Sequence, residues 1–96
     1  MTTLSHTASS AEEMAVAFAR VLRGVGVVAP VDSVLTFVKA LHRVGIDEQS
    51  NVYWAAHSTL IRRPEDREVF DRAFRVFWEH RFSENIEEEI ETLRIE

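Results

Sequence analysis

Hydrophobic side chains recur along this sequence every three or four residues, and alternation with a period of two is almost absent. Spacings of three and four residues place apolar side chains on one face of an α-helix. The pattern therefore predicts an all-α fold, with four main helices in a single domain and an acidic C-terminal helical tail. We divide the chain into a frayed N-terminus at residues 1–10, a helical domain at 11–82 and an acidic amphipathic tail at 83–96.

The first predicted helix begins at Ser9 or Ser10, because either hydroxyl can accept a hydrogen bond from the unpaired amides of a helix start. It ends at Gly24 and Gly26, because glycine adopts left-handed backbone angles without steric cost. A short extended connector then leads to Pro30. The predicted core stripe of this helix is Met14, Ala17, Phe18, Val21, Leu22 and Val25.

The second predicted helix covers residues 32–44 and ends at Gly45. Its predicted inward-facing residues are Val34, Leu35, Val38 and Leu41. The third predicted helix follows Asp47, a plausible N-cap, and is apolar on nearly every side. A helix of that kind is typical of the interior, so we expect it to be the most enclosed element.

The fourth predicted helix opens at Pro64, because proline is favoured at the first helical position. Its outer side is expected to carry the ion pairs Glu68–Arg72 and Asp71–Arg75, spaced four residues apart. We expect a break or bend in the chain around residues 83–85, because Ser83 can cap a fifth helix. The alternative is that the fourth helix continues unbroken to about residue 94. The apolar stripe of the tail is Phe82, Ile86, Ile90 and Leu93.

Composition excludes several classes of protein. The 96 residues are 46% hydrophobic and 28% charged, which fits one globular domain. Cysteine is absent, which excludes disulfides and thiolate chemistry. The net charge of −5 argues against a polyanion as the main partner. The chain shows no signal-peptide pattern and no run of apolar residues long enough to span a membrane, so we expect a cytoplasmic location and no membrane partner.

No motif of catalysis or cofactor binding is found in the sequence. The histidines are not spaced as a metal-binding pair on one helix face. No nucleophile turn of the Gly-x-Ser-x-Gly type is present, and the glycines near residue 25 lack the remaining residues of a phosphate-binding loop. We therefore expect no catalytic residue, no metal and no cofactor, and we expect that the protein is not an enzyme.

Three sets of side chains are candidates for binding a partner. Arginines cluster at Arg62, Arg63 and Arg67, but acidic residues alternate with them, which is typical of a solvated helix face and makes nucleic acid an unlikely partner. The aromatic and apolar residues exceed what a small core needs, and Trp54 and Trp78 are the large rings whose burial is least certain. The tail stripe from Phe82 to Leu93 either folds back on the domain, as amphipathic helices most often do, or pairs with another chain.

The third and fourth helices resemble a known signature. It consists of Val52-Tyr53-Trp54-Ala55, then Thr59-Leu60-Ile61, then Arg63-Pro64-Glu65-Asp66-Arg67, then Val69-Phe70-Asp71-x-Ala73-Phe74. This signature is similar to the N-terminal helical region of CoxE-like proteins, which carry a von Willebrand factor A domain further along the chain. The resemblance covers about residues 12–82.

This resemblance implies an all-α interaction module and transfers no catalytic or metal-binding residue. Its larger relatives are thought to act beside MoxR-type AAA+ ATPases in the maturation of metalloenzymes. We therefore expect a docking or scaffolding role, with a MoxR-type ATPase or a von Willebrand factor A domain as partner. The alternatives are a small nucleic-acid-associated regulatory protein and a module that forms a homodimer through its tail. The expected contact residues are Arg62, Arg63, Arg67, Trp54, Trp78, Phe82, Ile86, Ile90 and Leu93.

Overall fold

A computed structural model of the chain describes the backbone of residues 2–95 and the side chains of residues 10–81. Its helices are α1 (Thr2–Gly24), α2 (Val31–Val44), α3 (Gln49–Leu60) and α4 (Arg67–Ile95), with a 3₁₀ turn at Pro64–Asp66 before α4. The described backbone contains no β-strand. The predicted all-α, four-helix single domain is therefore confirmed. No helix among the described residues combines the length and the apolar character needed to cross a bilayer.

The ends of α1 and α4 differ from the prediction. α1 begins at Thr2 rather than at Ser9 or Ser10, because no proline or glycine precedes those serines to stop the helix. α4 continues without a break to Ile95, so the expected interruption around residues 83–85 is wrong and the alternative of one long helix is observed. The stripe residues Phe82, Ile86, Ile90 and Leu93 lie beyond the described side chains.

The C-terminus of α1 is closed by Gly26 and not by Gly24. Gly26 has φ +92°, whereas Gly24 is the last helical residue. The amide of Val27 donates to the carbonyl of Leu22 at 2.9 Å, and the amide of Gly26 donates to that of Arg23 at 3.1 Å. These two bonds form a Schellman motif, which satisfies the last carbonyls of the helix. Buried Val27 anchors the connector to the core.

The hydrophobic core is centred on Phe18 of α1. Its ring meets those of Phe70 and Phe74 edge-on, at centroid distances of 5.5 and 5.6 Å, and that of Phe77 at 5.2 Å. On the α2 side it meets Phe37 at 6.4 Å. α1 thus packs against both α2 and α4, and α3 packs mainly against α2. Edge-to-face aromatic pairs of this kind contribute about 0.5–1.5 kcal/mol each beyond the burial of their area.

Several predicted core positions face solvent instead. In α1, Met14, Phe18 and Leu22 are buried as predicted, but Val21 and Val25 are exposed. The buried face extends instead to Ala15 and Ala19. In α2, Leu35 is exposed. Phe37, which the prediction did not include, is completely buried. The predicted stripes were a little too wide, and a helix of this radius buries only the part of its apolar arc that meets a neighbour.

α3 is not the most enclosed element, contrary to the expectation. Its buried residues are Val52, Ala55, Ala56 and Leu60. Tyr53 is half-buried and Trp54 is exposed, so the two largest rings of the helix are not enclosed by the core. α3 contains no phenylalanine, whereas α1, α2 and α4 each contribute buried phenylalanine to the core. Trp54 is the large apolar side chain that α3 presents to solvent.

Candidate functional site

A cleft of about 460 Å³ lies between α3 and α4. Its walls come from the first turns of α3 and from the second and third turns of α4, and they combine aromatic, polar and charged side chains. The lining residues are Gln49, Ser50, Tyr53, Trp54, Asp71, Phe74 and Arg75. We call this surface the Trp54 cleft.

The Trp54 cleft is braced by a hydrogen bond between the two helices. The Tyr53 hydroxyl of α3 donates to Oδ1 of Asp71 in α4 at 2.6 Å. The pKa of Tyr53 is raised above its usual 10.0, chiefly by this hydrogen bond to Asp71. Burial of the phenol and the negative charge of Asp71 raise it further, whereas the positive charge of Arg67 lowers it. The phenol is therefore a neutral donor at physiological pH, and the bond holds α3 and α4 at a fixed separation.

Trp54 is the most prominent side chain of the cleft. It lies on the side of α3 opposite the buried residues, and 61% of it is exposed. Its indole meets the Tyr53 ring edge-on at 4.9 Å and the His57 ring at 5.3 Å. Tyr53 and His57 in turn contact Phe70 of the core at centroid distances of 5.8 Å. The exposed indole is thus supported by a row of rings and does not project freely.

Trp78, the second tryptophan that the sequence predicts as a contact residue, occupies a different environment. It is half-buried, and its ring stacks on Phe74 at 6.1 Å with an interplanar angle of 22°. Because Phe74 itself lines the Trp54 cleft, Trp78 packs behind one wall of that cleft. Trp54 and Trp78 therefore have different positions, one on the surface and one at the edge of the core.

Two of the three predicted contact arginines are engaged within the domain. Arg62 donates through Nη2 to the Ser33 hydroxyl at 3.1 Å, which ties the α3–α4 corner to α2. Arg63 forms ion pairs through Nε with Glu65 at 3.5 Å and Asp66 at 3.6 Å. These contacts order the turn before α4, and exposed pairs of this type contribute little to stability.

The expected ion pairs along α4 do not form. Asp71 turns towards Tyr53 of the neighbouring helix rather than towards Arg75 of its own. Among residues 10–81, no carboxylate lies within ion-pair distance of Arg67, Arg72 or Arg75. Because Asp71 bonds to Tyr53, Arg75 has no ion-pair partner among the described side chains, and its guanidinium lines the Trp54 cleft.

The sequence placed Trp54 among the contact residues but did not identify the cleft around it. Asp71 was assigned to an ion pair within its helix, and Arg75 was assigned as its partner. Gln49, Ser50 and Phe74 carried no signal of their own, because a cleft depends on how two helices approach each other. Within the described residues, no three histidine, cysteine or acidic side chains converge as a metal site would require.

Comparison with known protein families gives one match. The family model described as the CoxE N-terminal helical bundle domain matches residues 15–81. The matched stretch includes α2, α3, the buried residues of α1 from Ala15 onwards and every residue of the Trp54 cleft. Neither the curated proteins nor the solved structures gave a match. Because the family model covers well over half of the chain, the resemblance seen in the sequence is confirmed, and the chain belongs to the CoxE N-terminal helical bundle domain family.

Proposed function

We propose that this chain is a non-catalytic interaction module of a CoxE-like, MoxR-associated maturation or chaperone system, and that it binds its protein partner through the Trp54 cleft. The observation that carries the proposal is the exposed indole of Trp54, held by neighbouring rings beside Arg75, which forms no ion pair with any residue from 10 to 81. Arg62 and Arg63 already have partners within the domain and play a structural role here.

The composition of the cleft supports binding of a protein surface. Tryptophan, tyrosine and arginine are the residues most enriched among those that dominate binding energies at protein interfaces. All three types line this cleft, as Trp54, Tyr53 and Arg75. The Tyr53–Asp71 hydrogen bond joins its two walls. A wall that is already ordered loses less conformational entropy on binding than a mobile one.

Membership of the family supports the choice of partner. CoxE-like proteins carry a von Willebrand factor A domain beyond their helical region, and they are thought to act beside MoxR-type ATPases. A helical domain whose family shares that context is expected to contact one of these two proteins. The guanidinium of Arg75, beside the exposed indole, further favours a partner surface that places a carboxylate near an apolar side chain.

The direct test is a binding measurement with purified proteins. The full chain is titrated with a CoxE-like von Willebrand factor A domain and, separately, with a MoxR-type ATPase in its nucleotide-bound form. The proposal predicts saturable binding to at least one of them. Trp54→Ala is expected to weaken that binding by about 2 kcal/mol or more, which corresponds to roughly thirtyfold in Kd.

A matched control separates the cleft from exposed apolar surface in general. Leu35 is 57% exposed on α2 and does not line the cleft, so Leu35→Ala should leave Kd unchanged. Binding of neither protein by the folded chain would remove the proposed function. Equal affinities of the wild type and Trp54→Ala would remove the cleft as its site.

A second candidate function rests on the unpaired arginines of α4. The sequence argued against nucleic acid because acidic residues alternate with these arginines, but within residues 10–81 no carboxylate lies within ion-pair distance of Arg67, Arg72 or Arg75. Three guanidinium groups without an ion pair in that part of the chain, together with an exposed indole, are able to hold phosphates and a base. Binding of single-stranded DNA at about 50 mM salt, weakening steeply at higher salt, would favour this candidate.

A further inference from the structure

A second apolar surface lies on the other side of α4, where it packs against α1. The groove has a volume of about 430 Å³. Its lining is aliphatic apart from one arginine and consists of Val21, Val25, Val69, Arg72, Ala73 and Val76. We call it the valine groove. It shares no lining residue with the Trp54 cleft.

The valine groove contains apolar side chains that the domain itself leaves uncovered. Val21 and Val25 belong to the stripe that the sequence predicts as core, yet they are 36% and 50% exposed. Across the groove, Val76 of α4 is 60% exposed. Isolated exposed valines are ordinary, but branched aliphatic side chains that line one groove between two helices are typical of a site that receives a third helix.

The charge of the chain is distributed unevenly. Residues 10–81 contain ten acidic and ten basic side chains, whereas residues 82–96 contain six acidic side chains and one basic. The whole formal net charge of −5 therefore resides in the C-terminal segment. That segment also carries the stripe Phe82, Ile86, Ile90 and Leu93. The apolar face of this helix complements the aliphatic groove. Its acidic side chains complement Arg72, which has no ion-pair partner among the described residues.

The groove and the segment of one chain cannot meet. Val69, Ala73 and Val76 belong to the first half of α4, and the segment at residues 82–95 is the second half of the same unbroken helix. At 1.5 Å per residue, Ile90 lies about 25 Å along the helix axis from Ala73. The segment that fits the groove must therefore come from a second copy.

We propose that residues 82–96 of one chain occupy the valine groove of a second copy. The apolar stripe of the segment covers the valines, and its glutamates face Arg72. Reciprocal placement gives a closed dimer with two equivalent contacts, the usual symmetry of a homodimer. The Trp54 cleft remains free for a different protein, so this inference does not depend on the proposed function.

The test measures the mass of the full chain by sedimentation velocity at increasing concentrations. The wild type is expected to form a dimer that weakens when salt is raised. Val76→Glu changes the groove and Ile90→Glu changes the segment, and each is expected to raise the dissociation constant of the dimer by at least tenfold. Val28→Glu is the control: Val28 is 66% exposed and does not line the groove, so the dimer should be unchanged.

Mixing the two variants gives the decisive result. A Val76→Glu chain has an intact segment and an Ile90→Glu chain has an intact groove, so the mixture is expected to form a heterodimer with one intact contact. A wild type that stays monomeric at high micromolar concentration would overturn the proposal. A dimer whose dissociation constant is unchanged by either substitution would also overturn it. The same holds if both variants lose the dimer and mixing them does not restore it. Circular dichroism of each variant, matching the wild type, verifies that the loss does not come from unfolding.

Discussion

The assignment of buried and exposed positions in α2 can be tested with one substitution made at two sites. Leu41 and Leu35 belong to the same helix, and the hydrophobic pattern predicts both as core residues. In the structure Leu41 is 1% exposed and Leu35 is 57% exposed. Leu41→Ala and Leu35→Ala remove the same atoms and introduce the same residue. Any difference in their effect on stability therefore reports burial rather than helix propensity.

The expected magnitudes are well separated. Full burial of a leucine side chain contributes about 1.5–3 kcal/mol, and the cavity left by truncation brings the usual loss for Leu→Ala to about 2–5 kcal/mol. We expect a loss in the upper half of that range for Leu41, because it belongs to the single core cluster of the domain. For Leu35 the side chain stays largely in water in both states, and the loss should remain within about 0.5 kcal/mol.

Urea unfolding followed by circular dichroism at 222 nm measures both changes. With an m-value of about 1.5 kcal/mol/M, a loss of about 3.5 kcal/mol lowers the unfolding midpoint by about 2.3 M. Leu35→Ala should overlay the wild-type curve. Equal losses at the two positions, or a larger loss at Leu35, would show that α2 is rotated relative to the face described here.

Two further predictions concern backbone and hydrogen-bond geometry. Gly45 closes α2 at φ +86°, so Gly45→Ala should lower the free energy of unfolding by about 1–2 kcal/mol. Gly24 is at a helical position with open space around it, so Gly24→Ala should not destabilise the domain. Thermal or urea unfolding measures both changes. Tyr53→Phe should cost about 0.5–1.5 kcal/mol at pH 7 by removing the bond to Asp71. Because folding raises the pKa of Tyr53 above 10.0, this stabilisation is fully present below pH 10 and is lost as the pH rises through the folded-state pKa. Unfolding measured across that range should show the wild type and Tyr53→Phe converging, and a constant difference would contradict the assigned bond.

The fold class was predictable because it depends on periodicity alone. Spacings of three and four residues occur throughout the sequence, and glycine at 26 and 45 ends two helices where it was expected to. The side of each helix that faces the core was less predictable. A stripe such as Val21 and Leu22 in α1 spans a wide arc, and only contact with α2 and α4 decides that Leu22 is buried and Val21 is exposed.

The candidate site was predictable in one residue and not in its surroundings. Trp54 was identified because α3 carries more apolar surface than a small domain can cover. The partner of Asp71 was assigned incorrectly, because rules for charged pairs consider one helix at a time. The bond actually formed crosses to Tyr53, eighteen positions away in sequence, and it leaves Arg75 in the cleft without an ion pair to Asp71. Contacts between helices depend on their approach, which no local pattern encodes.

We propose the Trp54 cleft as the surface that meets the partner protein. Nuclear magnetic resonance of the isotopically labelled full chain, titrated with an unlabelled CoxE-like von Willebrand factor A domain or MoxR-type ATPase, tests this residue by residue. The largest chemical-shift changes are expected at the Trp54 indole and at the amides of Tyr53 and Arg75, with little change around Leu35 on α2. Saturable changes confined to α2, or an unaltered Trp54 signal in a chain that has bound its partner, would contradict the central claim.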